Sequence, residues 1–145
     1  MLVVDTSAFV SLAVGGVLST VVDEYEIVAT ELVWSEFGAT ADHDDMHGRA
    51  AADVLSVRDQ VTVLDRRGEA FVTSRIDDGE ASCVAAVKET DAAFLITDDY
   101  RALPELQQVV DCEVALSLIV LRALVKRGVL TEDEATAAFE TIVFA

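Results

Sequence analysis

From residue 92 to residue 99 an apolar run ends abruptly in acid: Ala92-Ala93-Phe94-Leu95-Ile96 is followed at once by Thr97-Asp98-Asp99. A short apolar run of this kind predicts a strand buried on both faces. In an open α/β sheet, ligands bind outside the carboxyl ends of such strands. Upstream, Ala81, Val84, Ala85 and Lys88 fall at i, i+3, i+4 and i+7, which predicts one helix with a mostly small, apolar face. Glu80 opens that helix and Asp91 interrupts it before the strand. Residues 79–100 therefore read as a helix–strand unit with acid at both tips.

The N-terminus repeats the pattern. Leu2-Val3-Val4 is apolar and β-prone, Asp5 ends it, and Thr6-Ser7 offers hydroxyls to cap a helix over residues 8–14. If the two strands are parallel neighbours, Asp5 and Asp98/Asp99 meet on one edge of the sheet. Carboxylates gathered there repel one another and are best accommodated around a cation.

The rest of the chain alternates in the same way. Gly15-Gly16 breaks the first helix, a short helix follows at 17–22, and a strand is expected at 26–29. Thr30 caps a helix in which Leu32, Val33 and Glu36 share a face, so Glu36 is either a boundary residue reaching water or a buried acid with a partner. Residues 41–46 read as a polar loop or junction, 49–57 as a helix, 61–64 as a strand and 66–74 as another helix. Pro104 starts a short helix, 112–115 reads as a last strand, and 116–126 as an apolar helix ended by Gly128. Thr131 and Glu134 make a capping box for a final helix. Strands alternating with helices predict an α/β fold with a mainly parallel sheet, in a single domain over residues 1–145.

Charge narrows the function less than it first suggests. The chain has 27 Asp and Glu against 10 Lys and Arg, a net charge of −17, with Lys88 and Lys126 its lysines. Such a surface repels nucleic acid in dilute salt. Either the partner is basic, or the surface is adapted to high salt, where carboxylates stay hydrated and repulsion is screened. Acid spread along the whole chain favours adaptation. No apolar run approaches a membrane span and no basic leader opens the chain, so a cytoplasmic protein without a membrane partner is expected. Cys83 and Cys112 lack metal or redox spacing and read as small buried hydrophobes. His43 and His47 have the spacing of a zinc-protease helix, but Asp44 stands where that helix carries Glu, and a third ligand is missing.

Four acidic positions stand out by context: Asp5 at a strand end, Glu36 on a helix face, Glu80 opening a helix, and Asp98/Asp99 ending the next strand. Taken in order, V-V-D-T-S-A, E-L-V-W-S-E-F, D-G-E-A-S-C-V-A-A and L-I-T-D-D resemble the PIN-domain ribonucleases, particularly the VapC-like toxins of toxin–antitoxin pairs. The resemblance covers residues 2 to about 128, closing with V-A-L-S-L-I-V-L-R-A-L-V-K-R-G-V-L.

That resemblance implies a PIN-like three-layer α/β/α fold and a ribonuclease whose metal ligands are Asp5, Glu36, Glu80 and Asp99. Asp98 is an uncertain neighbour, and Ser7, Thr6 and Thr97 support the site. Many toxin members carry Asp where this chain has Glu80. Hard oxygen ligands suit Mg²⁺ or Mn²⁺, and the implied reaction is attack of a metal-activated water on an RNA phosphodiester. Arg66, Arg67, Arg75 and Arg101 are candidate phosphate contacts. The resemblance also implies a small antitoxin whose basic C-terminal segment docks into the acidic cleft, and a homodimer. A receiver domain would need paired acids after the first strand, and a haloacid-dehalogenase phosphatase would need D-x-D there; Asp5-Thr6-Ser7 supplies neither. The remaining alternative is a catalytically inactive PIN-like binding protein whose acids are merely solvated.

Overall fold

Five short strands, β1 (Leu2–Val4), β2 (Ile27–Thr30), β3 (Val61–Leu64), β4 (Phe94–Ile96) and β5 (Glu113–Ala115), pair side by side in the order β3-β2-β1-β4-β5. Every pairing is parallel. The structure is a computed structural model that describes residues 1–65 and 76–145; the expected helix at 66–74, with Arg66, Arg67 and Arg75, lies outside the described residues. Central β1 and β2 are buried throughout, whereas edge strands β3 and β5 are partly open. This is why the first two read as unbroken apolar runs.

Among the described residues the helices are α1 (Thr6–Val14), α2 (Leu18–Glu24), α3 (Glu31–Thr40), α4 (Met46–Ser56), α5 (Asp78–Thr90), α6 (Leu103–Val109), α7 (Ser117–Lys126) and α8 (Glu132–Val143). The chain moves one way across the sheet from β1 to β2 to β3, then the other way from β3 to β4 to β5. The right-handed rule for parallel crossovers assigns the helices between β1 and β3 to one face and α5 and α6 to the other. α5 packs across β2, β1 and β4, and α6 against β5. Leu2, Phe94, Ile96 and Ala115 line a small apolar cleft together with Val120 and Ala123 of α7. The result is the three-layer α/β/α arrangement with a wholly parallel sheet.

The strand order reverses between β1 and β4, so the crevice outside their carboxyl ends is the topological switch point of the sheet. Val4 lies opposite Ile96, and the Asp5 N–H donates to the Ile96 carbonyl at 3.1 Å. The residues that follow each strand, Asp5 and Thr97-Asp98-Asp99, therefore stand abreast there. An edge-to-face trio of Phe9, Trp34 and Phe37, with ring centroids 5.7 to 6.1 Å apart, clamps α1 to α3. Each such pair contributes about 0.5–1.5 kcal/mol beyond area burial. This clamp fixes the helices that carry Thr6 and Glu36.

Several local expectations change. Asp5 itself is the N-cap of α1, accepting the Ala8 N–H, and Thr6 and Ser7 are already helical. The α5 helix has no single apolar face: Gly79 to Val84 and Ala86-Val87 are buried while Lys88 is exposed, because this helix lies across the middle of the sheet. The strand β4 starts at Phe94, with Ala93 exposed before it. Asp45 caps α4, leaving His43 outside the helix that holds His47. Cys83 is buried as expected, but Cys112 is only partly so. Gly128 has φ 75°, the left-handed conformation that ends α7. Among the described residues no single helix is long and apolar enough to cross a membrane.

Candidate functional site

At the switch point, Asp5, Thr6, Ser7, Glu36, Asp77, Gly79, Glu80 and Asp99 line a pocket of about 210 Å³. Its residues come from the ends of β1 and β4, the exposed side of α3 and the first turn of α5. A larger recess, about 360 Å³, opens among Val87, Lys88, Asp91, Ala93, Asp111 and Cys112, away from these strand tips.

Asp5 is the deepest acid. Its Oδ1 accepts the Ser7 hydroxyl at 2.8 Å and the Ala8 N–H at 3.1 Å, and its Oδ2 accepts the Thr97 hydroxyl at 2.6 Å. Burial pushes its carboxyl up from 3.8 to about 6, against the pull of those three donors, with the Asp98 charge adding a little. Ser7 in turn accepts the Asp98 N–H and Thr97 accepts the Asp99 N–H. One hydroxyl on each side thus ties the buried carboxylate to the strand-end turn.

Glu80 is held differently. Asp77 and Glu80 form a capping box at the start of α5: the Asp77 side chain accepts the Glu80 N–H, and Glu80 Oε1 accepts the Asp77 N–H. Its Oε2 is buried and has no hydrogen-bond partner among the described residues. An orphaned carboxylate oxygen is costly to bury. Burial, then the charges of Asp77, Asp99 and Asp5, push the Glu80 carboxyl from 4.5 to about 8, although the Asp77 N–H opposes the rise.

Glu36 lies on the exposed side of α3, and its Oε2 accepts the Thr6 hydroxyl at 2.7 Å. Of the two readings its periodicity allowed, the residue that reaches water is the one observed, yet it also has a partner. Loss of solvent raises its carboxyl, the Thr6 hydroxyl lowers it, and the Asp77 charge raises it again. Asp99 lines the pocket while its Oδ1 accepts the Arg101 and Ala102 N–H groups. Asp98 turns away, its two oxygens accepting the Ser117 N–H and hydroxyl at the start of α7. Arg101 is exposed and does not line the pocket.

Among the described residues no three His, Cys, Asp or Glu side chains close into a ready-made cation cage. The four expected acids share one pocket without converging on a point. Asp77 and Gly79 were not anticipated as pocket residues. The D-x-x-E spacing of Asp77 and Glu80, which matches a capping box, is the signal that marks Asp77.

A family model described as DUF3368: PIN domain matches residues 1–144. The chain belongs to the PIN-domain family. PIN domains are generally nucleases and typically use divalent metals. No curated protein matches the chain. The donor set of this PIN domain fits such an ion: all four expected acids offer hard oxygen, and the buried Glu80 Oε2 has no other partner among the described residues.

Proposed function

We propose that this PIN domain is a metal-dependent endoribonuclease in which Asp5, Glu36, Glu80 and Asp99 hold Mg²⁺ or Mn²⁺. The observation that carries the reading is the unpartnered, buried Oε2 of Glu80 beside three further acids in one pocket. Without a counter-charge that arrangement is destabilising; with a divalent ion it is a binding site. A divalent ion held there supplies Lewis-acid activation of water and neutralises charge at the scissile phosphodiester.

The chain's own residues prepare the site. Thr97, Ser7 and the Ala8 N–H fix both Asp5 oxygens in place. Thr6 holds Glu36 from the first turn of α1, and Asp77 orients Glu80 through its backbone. Because both Asp98 oxygens are engaged by Ser117, Asp99 is the better fourth ligand. Arg101, exposed on the turn after Asp99, is the proposed phosphate contact.

In the same reading the chain is one domain over residues 1–145, and is the VapC-like toxin of a toxin–antitoxin pair. It acts in the cytoplasm as a homodimer and is restrained by a small antitoxin with a basic C-terminal segment. The net charge of −17 and the acidic pocket favour such a segment, and the acid-rich surface reads as adaptation to high salt. A PIN-like protein that only binds is the competing reading, favoured by the carboxylates not closing into a cage among the described residues.

Cleavage of RNA with Mg²⁺ or Mn²⁺ at high salt, comparing wild type with Asp5→Asn and Glu80→Gln, separates the two. Loss of roughly 100-fold or more in each variant is expected. Equal activity in all three removes the enzyme assignment.

A further inference from the structure

We infer that Gly79 is a positioning residue for Glu36: it keeps a side chain out of the space that the Glu36 carboxylate occupies at the pocket. A Cβ at position 79 would stand 2.9 Å from Glu36 Oε1 and 4.0 Å from its carboxyl carbon. Real Cβ atoms essentially never approach this closely, so an alanine forces something to move.

What moves is decided by what is pinned. A hydrogen-bond relay runs from the Val33 N–H to Thr30 Oγ1, from the Thr30 hydroxyl to Ser82 Oγ at 2.7 Å, and from the Ser82 hydroxyl to the Gly79 carbonyl at 2.6 Å. Because the Ser82 proton is spent on Gly79, Thr30 is the donor to Ser82. Thr30 and Ser82 are fully buried, so the relay locks the Gly79 backbone to the start of α3. The far end of Glu36 is an exposed, flexible carboxylate. Hence the backbone stays, the Glu36 carboxylate leaves, and its Thr6 hydrogen bond goes with it.

The helix itself has no need of glycine here. Gly79 lies in the first turn of α5 and its φ is not positive. In such a place alanine is ordinarily the more stabilising residue. Gly48 shows the contrast: its Cβ would fall 1.7 Å from the His43 carbonyl oxygen, a backbone atom that cannot swing aside. Gly48 serves the fold, whereas Gly79 serves the placement of a carboxylate.

The functional half of this inference rests on the metal-site reading, and the test keeps the two apart. Gly79→Ala is compared with wild type and with Gly38→Ala, which changes an exposed glycine on the same helix as Glu36 with open space around it. Three quantities are measured: the crystal structure of the metal-free variant, the thermal midpoint, and Mn²⁺ affinity. In Gly79→Ala the Glu36 carboxylate is expected to be displaced with the Thr6 contact broken. The midpoint is expected to be unchanged or raised by up to about 4 °C, and Mn²⁺ binding weakened about 10-fold. Gly38→Ala should leave Mn²⁺ affinity as in wild type. A metal-free Gly79→Ala structure with Glu36 still bonded to Thr6 overturns the inference, whatever the ion does. If Glu36 is displaced but wild type binds no Mn²⁺, the positioning role stands and the metal-site reading falls.

Discussion

The Thr97 hydroxyl donates to Asp5 Oδ2 at 2.6 Å, joining the ends of two strands that lie ninety-two positions apart in sequence. Both residues are buried, and Asp5 sits at the point where the strand order reverses. The bond places an ionisable group in the wall of the pocket and keeps it from turning into the core. Fold and candidate chemistry meet in this pair.

Replacing Thr97 by valine keeps the shape and removes that donor. A buried carboxylate deprived of a hydrogen bond costs about 1–3 kcal/mol. The cost should be larger at pH 8, where Asp5 is ionised, than at pH 5, where its raised carboxyl is mostly protonated. Urea unfolding at the two pH values measures it; equal loss at both would mean that the hydroxyl does not act on the Asp5 charge.

The metal-free protein should lose stability as pH rises. Asp5 moves from 3.8 to about 6 and Glu80 from 4.5 to about 8 on folding. Between those limits the folded chain binds protons that the unfolded chain has released, so unfolding free energy falls with pH. The stabilisation is fully present below about pH 4 and is lost as pH climbs through the folded values. Thermal midpoints from pH 5 to 9 should decline, and the decline should be shallower in Glu80→Gln. An identical slope in the variant would show that Glu80 is not the titrating group.

Asp98 and Asp99 should separate cleanly on substitution. Asp98 grips the first turn of α7 through Ser117, so Asp98→Ala should cost about 0.5–2 kcal/mol of stability while leaving Mn²⁺ affinity nearly intact. Asp99→Asn should do the reverse. Denaturation and metal titration of both variants check the pair, and weaker Mn²⁺ binding in Asp98→Ala alone would exchange their roles.

Gly48→Ala is expected to cost more than about 3 kcal/mol, since its Cβ would collide with the His43 backbone ahead of α4. Chemical denaturation reads this directly. A near-neutral result would mean that the 41–46 segment moves aside.

The parts of this site that local patterns express are legible in the sequence. Val4-Asp5 and Ile96-Thr97-Asp98-Asp99 announce strand ends, because an apolar run that stops at acid has few other places in an α/β fold. Glu36 was harder. Its helix position allowed either a solvated or a partnered acid, and Thr6, its partner, is thirty residues away. The Thr30–Ser82 relay, the vacant space at Gly79 and the hold of Ser117 on Asp98 depend on packing between distant elements. No spacing rule encodes those. The α1 helix starts two residues earlier than its pattern predicts because Asp5, Thr6 and Ser7 are all competent caps, and it is Asp5, also tied to Thr97, that accepts the Ala8 N–H.

The most direct test of the account is calorimetric titration of Mn²⁺ into the wild-type protein at pH 8 and high salt, beside Asp5→Asn and Glu80→Gln. Saturable binding in the wild type, weakened at least about 10-fold in each variant, is the predicted result. Indifference of all three proteins to the ion, or one common affinity, would contradict it.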